Sequence, residues 1–349
     1  MGLEMRMRSL KGIITQHQWT RRDFMTTVAF GAGAALAMDF NNTSSAVRAA
    51  ETAKTYKTQL HNSFIVGKIT PEQMESLAKI GVEGVETTLW DIDVEEAREA
   101  RKIAESFGIK IHSVMRAWTN FNQPNSAEAD VQSVIRALRA ASAYGASTIL
   151  LVPCRIGAPA PAPWDFKIEY DPATLMLSKV VDGDNSKYAE YIEQHNAATE
   201  ATYRCLAPTI PVAAYEGVTI GLENVWNNLW CTPELFAAFV KSFENVWVKA
   251  YFDLGNHVKY APTEDWLRAL GKDTIVKLHI KDFLFDKEKG GGEFVPIGKG
   301  SNDWISIRNV IEEIGYDGFV TLESGGYTDE QHVRIFDNFF NGVEITKDV

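Results

Sequence analysis

From about residue 60 onward, short runs of β-branched and aliphatic residues alternate with stretches whose apolar positions recur at helical spacing. The runs predict strands over 61–67, 84–88, 109–115, 147–152, 218–223, 246–253, 275–282 and 318–323. The intervening stretches predict helices over 71–80, 94–107, 128–144, 186–215, 233–243, 263–270, 303–314 and 329–340. Start signals mark several of these: Thr70-Pro71-Glu72 and Thr232-Pro233-Glu234 each place an N-cap residue before a first-turn proline. Gly81, Gly108, Gly145 and Gly315 stand where a helix should end and feed the next strand. Eight such strand–helix pairs in about 300 residues match a (β/α)8 barrel. A doubly wound sheet fits less well, because no glycine-rich phosphate fingerprint follows an early strand. The stretch 153–184, rich in Pro, Ala and Gly, follows strand four and is expected on the C-terminal face as a lid or pocket wall.

The first 49 residues follow another pattern. Thr20-Arg21-Arg22-Asp23-Phe24-Met25 precedes a mild apolar stretch over 25–38, and Val47-Arg48-Ala49 offers a small-residue cleavage site. The paired arginines resemble a twin-arginine (Tat) export signal. The apolar stretch is too short to span about 30 Å of hydrocarbon, so no stable membrane anchor is expected after cleavage. The expected organisation is a signal peptide over 1–49 and one barrel domain over 50–349, in a protein that is periplasmic or otherwise exported.

Composition narrows the function. The 349 residues carry a formal charge of −11, which argues against a sequence-independent grip on nucleic acid. The signal segment holds six Lys/Arg against three Asp/Glu, so the mature chain would be more acidic still. Three cysteines form no disulfide framework and no zinc-finger spacing. Cys154 and Cys231 follow strands four and five on the same expected face, which leaves a disulfide between them open; Cys205 is expected mid-helix and buried.

The candidate chemistry lies at strand ends. Strands five to eight finish, or nearly finish, with Glu223, Asp253, His279 and Glu323, spaced by 30, 26 and 44 residues. Side chains at the C-terminal ends of consecutive barrel strands converge at the mouth. Three carboxylates and an imidazole there would repel unless a cation neutralised them, and this donor set suits Mn²⁺, Mg²⁺, Co²⁺ or Zn²⁺. Lys281, two residues beyond His279, faces the same way, and Glu86 ends strand two; both are candidate substrate contacts. Trp118 and Arg155 follow strands three and four, where Trp118 could stack on a sugar face. His112 is expected in the core, and His61, His195 and His332 are left outside the site.

This quartet resembles that of the xylose-isomerase-like TIM barrels, the group of sugar phosphate isomerases and ketose 3-epimerases. Leu222-Glu223-Asn224, Phe252-Asp253-Leu254-Gly255-Asn256, and Pro296-Ile297-Gly298-Lys299-Gly300 followed by Asp303-Trp304 and Gly315-Tyr316-Asp317-Gly318 carry the resemblance. It implies that Glu223, Asp253, His279 and Glu323 ligate a divalent metal. It also makes Glu223 and Glu323 the acid/base pair at one substrate carbon. Some epimerases place a histidine three residues after their Asp; here that position is Asn256, and His257 follows as a candidate substrate contact.

The resulting expectation is a metal-dependent isomerase or epimerase acting on a keto-sugar or 3-keto-glycoside. The substrate should be unphosphorylated if the protein is exported. A lyase that eliminates from the same substrates is the alternative. A metal phosphodiesterase would need several extra histidines, and a non-catalytic sugar-binding barrel would not need the full quartet. The expected partner is a small-molecule sugar, not nucleic acid, and homo-oligomer formation is left open.

Overall fold

Eight short strands close on themselves as a barrel whose buried side chains include polar groups such as Ser63, His112, Ser113 and Thr321. The computed structural model describes residues 55–345, so the signal-peptide reading of 1–49 lies outside the described residues. The barrel strands are β1 (Leu60–Val66), β2 (Gly84–Thr87), β3 (Lys110–Trp118) and β4 (Thr148–Val152), then β5 (Thr219–Glu223), β6 (Val248–Asp253), β7 (Ile275–Ile280) and β8 (Gly318–Leu322). Each pairs in parallel with its chain neighbours, and β8 returns to β1, with Ser63 opposite Thr321. This is a (β/α)8 barrel.

Between strands run helices that bury one face on the barrel. Thr70 and Thr232 cap theirs as expected, accepting from the backbone N–H of Gln73 and Leu235. The expected helix over 186–215 divides into Ala189–Leu206 and Ile210–Glu216, because Pro211 has no N–H to continue the ladder. Strand seven also ends early, at Ile280. Beyond it Asp282–Leu284 pairs antiparallel with Glu293–Val295, forming a hairpin above the barrel. β3 runs further than expected, to Trp118, through a register shift at which Ala117 adopts a φ of +56°. The stretch 153–184 is not irregular throughout: Glu169–Tyr170 and Leu177–Lys179 form a small antiparallel pair.

A buried arginine locks the segment before β1 to the end of the last helix, Asp329–Phe340. Arg308, on the helix Trp304–Ile314, is 1% exposed and donates to the Thr58 hydroxyl, the Thr58 carbonyl and the Phe340 carbonyl. One turn on, Glu312 accepts from the Lys57 and Thr58 backbone and from the Thr58 hydroxyl at 2.7 Å. The floor of the barrel is polar as well, with His112 Nδ1 left without a hydrogen-bond partner among the described residues. His112 lies there, as expected of a core histidine, stacked on Phe319 at 4.2 Å and bonded through Nε2 to Ser63 and Thr321. Among the described residues, no helix is long and apolar enough to cross a membrane.

Candidate metal centre

Glu223 closes β5, Asp253 closes β6, His279 is the penultimate residue of β7, and Glu323 directly follows β8. Barrel closure brings one ligand atom of each within 4.8 Å of the others. Asp253 and His279 are fully buried, Glu223 nearly so, and Glu323 leans toward the opening. His279 Nδ1 lies 2.9 Å from Glu323 and 3.8 Å from Glu223.

Neighbouring asparagines hold the acids in place. Asn224 bridges the ends of β5 and β6, accepting from the Asp253 N–H and donating to its carbonyl. Asp253 Oδ1 accepts from the backbone N–H of Gly255 and Asn256, at 2.8 and 2.6 Å, which leaves Oδ2 for the centre. Asn256 reaches back to Glu223 and to the Asn224 carbonyl. The turn needs Gly255, since a Cβ there would stand 2.6 Å from the Lys281 carbonyl oxygen. Sequence reasoning quoted both asparagines as parts of motifs without giving them this bracing role.

Beneath the quartet stands Glu86. Its Oε2 is 2.6 Å from His279 Nε2, and its Oε1 accepts from the Ser113 hydroxyl. In this contact His279 Nε2–H would donate to Glu86, with Nδ1 turned to the acids, as in carboxylate–histidine–metal triads. Glu86 is 0% exposed and lies against His279, so in this structure the expected substrate contact sits beneath the centre, where it would orient His279.

The electrostatics suit a cation. Burial pushes the Glu223 carboxyl up to about 7, with Glu323 adding repulsion against the pull of His279. Burial likewise lifts Asp253 to about 6, against the attraction of Lys281. Glu323 also loses hydration, yet His279 and Lys281 outweigh that and hold it down to about 2. Asp253 Oδ2 is buried without a hydrogen-bond partner, and Lys281 Nζ stands 3.6 Å away. Three carboxylate oxygens, one of them orphaned, and a pre-turned imidazole nitrogen form a donor set that fits a divalent ion. Lys281 Nζ is 3.0 Å from Glu323 and lines, with Glu323 and Phe294, a cavity of about 430 Å³.

The sequence model of the xylose isomerase-like TIM barrel family matches residues 74–337. The chain belongs to that family. Among curated proteins, it is similar to an Escherichia coli protein provisionally named L-ribulose-5-phosphate 3-epimerase SgbU. The two are 24% identical over 139 residues, 39% of this chain and 49% of that protein. The chain thus spans about half the length of the curated relatives it matches. Among solved structures, it is similar to a D-tagatose 3-epimerase-like protein at 18% identity and a TM-score of 0.59, covering 79% of this chain and 96% of the other. The mannonate dehydratase of Streptococcus suis is similar at 14% identity and a TM-score of 0.58, covering 84% of this chain and all of the other. At these identities the structures establish the fold that the family shares.

Other family motifs prove to be structural. Asp282 is buried and accepts from Gly298 N–H, Gly300 N–H and Trp304 Nε1–H, so it folds the Pro296–Gly300 run. A Cβ on Gly300 would collide with that carboxylate. His257 is corrected from a substrate contact to a packing residue. It is 2% exposed, Nε2 faces the Val225 carbonyl, and its ring packs on Tyr260 and Trp266. The +4 spacing carries it behind the turn, while Asn256 at +3 meets the centre. Trp118 and Arg155 both reach the surface, with the Arg155 guanidinium 4.1 Å over one face of the indole. Cys154 and Cys231 are buried and free, so the open disulfide is not formed. Cys154 turns to Ala198 and Thr202, Cys231 to the Leu229 carbonyl, and burial raises their thiols to about 12 and about 11.

Proposed function

We propose that this protein is a divalent-metal-dependent isomerase or epimerase that moves a proton at a carbon beside the carbonyl of a keto-sugar or 3-keto-glycoside. One observation carries the reading: two glutamates, Glu223 on the buried side and Glu323 toward the opening, share a four-donor centre whose ligand atoms all lie within 4.8 Å of one another. Two carboxylates placed on either side of one bound carbon are suited to acid/base work there.

Glu223, Asp253, His279 and Glu323 would hold the cation, which when bound supplies positive charge for the oxygen that turns negative as the neighbouring carbon loses its proton. Glu323, at the edge of the cavity, accepts a proton from one face of the substrate carbon. Glu223, on the buried side, returns one to the opposite face and inverts the centre. Lys281 holds Glu323 in place and keeps a donor beside the substrate oxygens. Asn224 and Asn256 fix the approach of Glu223 and Asp253. Export through the twin-arginine-like segment would favour an unphosphorylated sugar, which is part of this proposal.

The test is incubation of the metal-loaded protein with keto-sugars and 3-keto-glycosides in D₂O, followed by NMR. Deuterium at one carbon, with inversion or carbonyl migration, is the expected result. Formation of an enone would move the assignment to a lyase. Absence of exchange with every sugar in the presence of each candidate metal would overturn it.

A further inference from the structure

A second cavity, of about 480 Å³, is distinct from the one that Glu323 lines. Its walls come from segments that follow β4, β6 and β7, so it lies on the same C-terminal face of the barrel. Trp164 comes from the long stretch after β4, Lys259, Tyr260, Pro262 and Glu264 from the segment after β6, and Phe285 from the hairpin after β7. Trp164 is 41% exposed, with the Lys287 ammonium 5.1 Å from its ring centre, and Phe285 is 38% exposed, large apolar side chains at a concave site.

Two charged groups at this cavity, Lys259 and Glu264, form no ion pair among the described residues. Among the described residues, no carboxylate lies within ion-pair distance of Lys259, whose ammonium rests on ring faces, 3.6 Å from Trp226 and 4.8 Å from Tyr260. Glu264, also lining the cavity, makes no ion pair among the described residues, though Arg268 one turn on feels its charge. Aromatic faces with free donors and acceptors at their edges complement a pyranose, whose C–H faces are apolar and whose hydroxyls point sideways.

The cavity is joined to the metal centre by a short series of contacts. Lys259 packs on Trp226, Trp226 lies 5.0 Å from Phe294, and Phe294 lies 5.2 Å from Lys281 Nζ, which holds Glu323. Phe294 also lines the cavity that contains Glu323. The Trp226–Phe294 pair thus links Lys259, at the second space, to Lys281 at the reacting end.

We infer that this second cavity is a subsite for a further pyranose ring, so that the protein's substrate is a disaccharide or a longer glycoside with its reacting sugar at the metal. The ligand class rests on the sugar reading proposed above. Trp164 and Phe285 act as platforms, and Lys259 and Glu264 contact hydroxyls.

The test is a calorimetric titration of the full chain with cellobiose, maltose, glucose and 4-nitrophenyl β-D-glucoside. Either disaccharide should bind at least about tenfold more tightly than glucose. Trp164→Ala and Phe285→Ala should each lose that preference, and Trp164→Tyr should retain most of it. No preference in the wild type, or one that survives both alanine variants, would overturn the subsite. Tight binding of the nitrophenyl glucoside with neither disaccharide preferred would overturn the sugar assignment in favour of an arene. Because binding needs no turnover, the two proposals fail separately. A disaccharide preference without proton exchange sinks the enzymatic reading alone, and exchange without that preference sinks the subsite alone.

Discussion

At the centre of the barrel, Glu86 Oε2 stands 2.6 Å from His279 Nε2, so that Nδ1 is the ring nitrogen that faces the acids. Removing that carboxylate by Glu86→Ala should weaken Mn²⁺ affinity by about 10- to 100-fold without unfolding the protein. Calorimetric titration beside a melting curve checks this, and unchanged affinity would deny Glu86 its orienting role. The acids add a pH dependence with a definite sign. Glu223 and Asp253, pushed up to about 7 and about 6 by burial, carry protons below those values that a cation must displace. Metal affinity should therefore rise as pH climbs through 6 to 7, with proton release visible in buffers of different ionisation enthalpy; a flat profile would contradict the assignment. Glu323→Gln should lower turnover by about 100- to 10,000-fold on any sugar found to exchange. The four converging residues were legible in the sequence because each stands at the end of a distinct apolar run. Glu86 was placed on the correct side of its strand and at the wrong depth: alternation reports which face a side chain takes, while the stagger of strands sets its layer.

Elements were readable where periodicity was long and caps were explicit. Thr70 and Thr232 announced their helices, and all eight barrel strands appear within a few residues of their expected bounds. The hairpin after β7 was missed because its strands have only three residues each and its turn, Gly290-Gly291-Gly292, reads as loop. The turn is tight enough that a Cβ on Gly292 would strike the Leu284 carbonyl. Where the segment before β1 meets the last helix, Arg308→Ala should lower Tm strongly, by about 3 kcal/mol of stability, because the Thr58 and Phe340 carbonyls lose a buried donor. Glu312 adds a pH window. The Thr58 hydroxyl, with the Thr58 and Lys57 backbone, depresses it from 4.5 to about 2. Its contribution is thus complete above the ordinary carboxylate value and lost as pH falls toward 2. Glu312→Gln should melt earlier than wild type at neutral pH, and the gap should narrow in acid; a constant gap would point to lost packing instead.

Across the whole molecule, closure of the barrel turns four residues spread over 101 positions of sequence into one site, from Glu223 to Glu323. The same closure sets hairpin, long β4 loop and aromatic pair around that site, an arrangement that strand and helix patterns do not encode because it depends on which loops meet. Every functional step above requires that Glu223, Asp253, His279 and Glu323 bind a single divalent ion. Calorimetric titration of chelator-treated protein with Mn²⁺ and Co²⁺ tests this most directly. We expect one ion per chain in the wild type and loss of that binding in Asp253→Ala, with the melting curve retained. Absence of stoichiometric binding, or equal binding in the folded variant, would contradict the account.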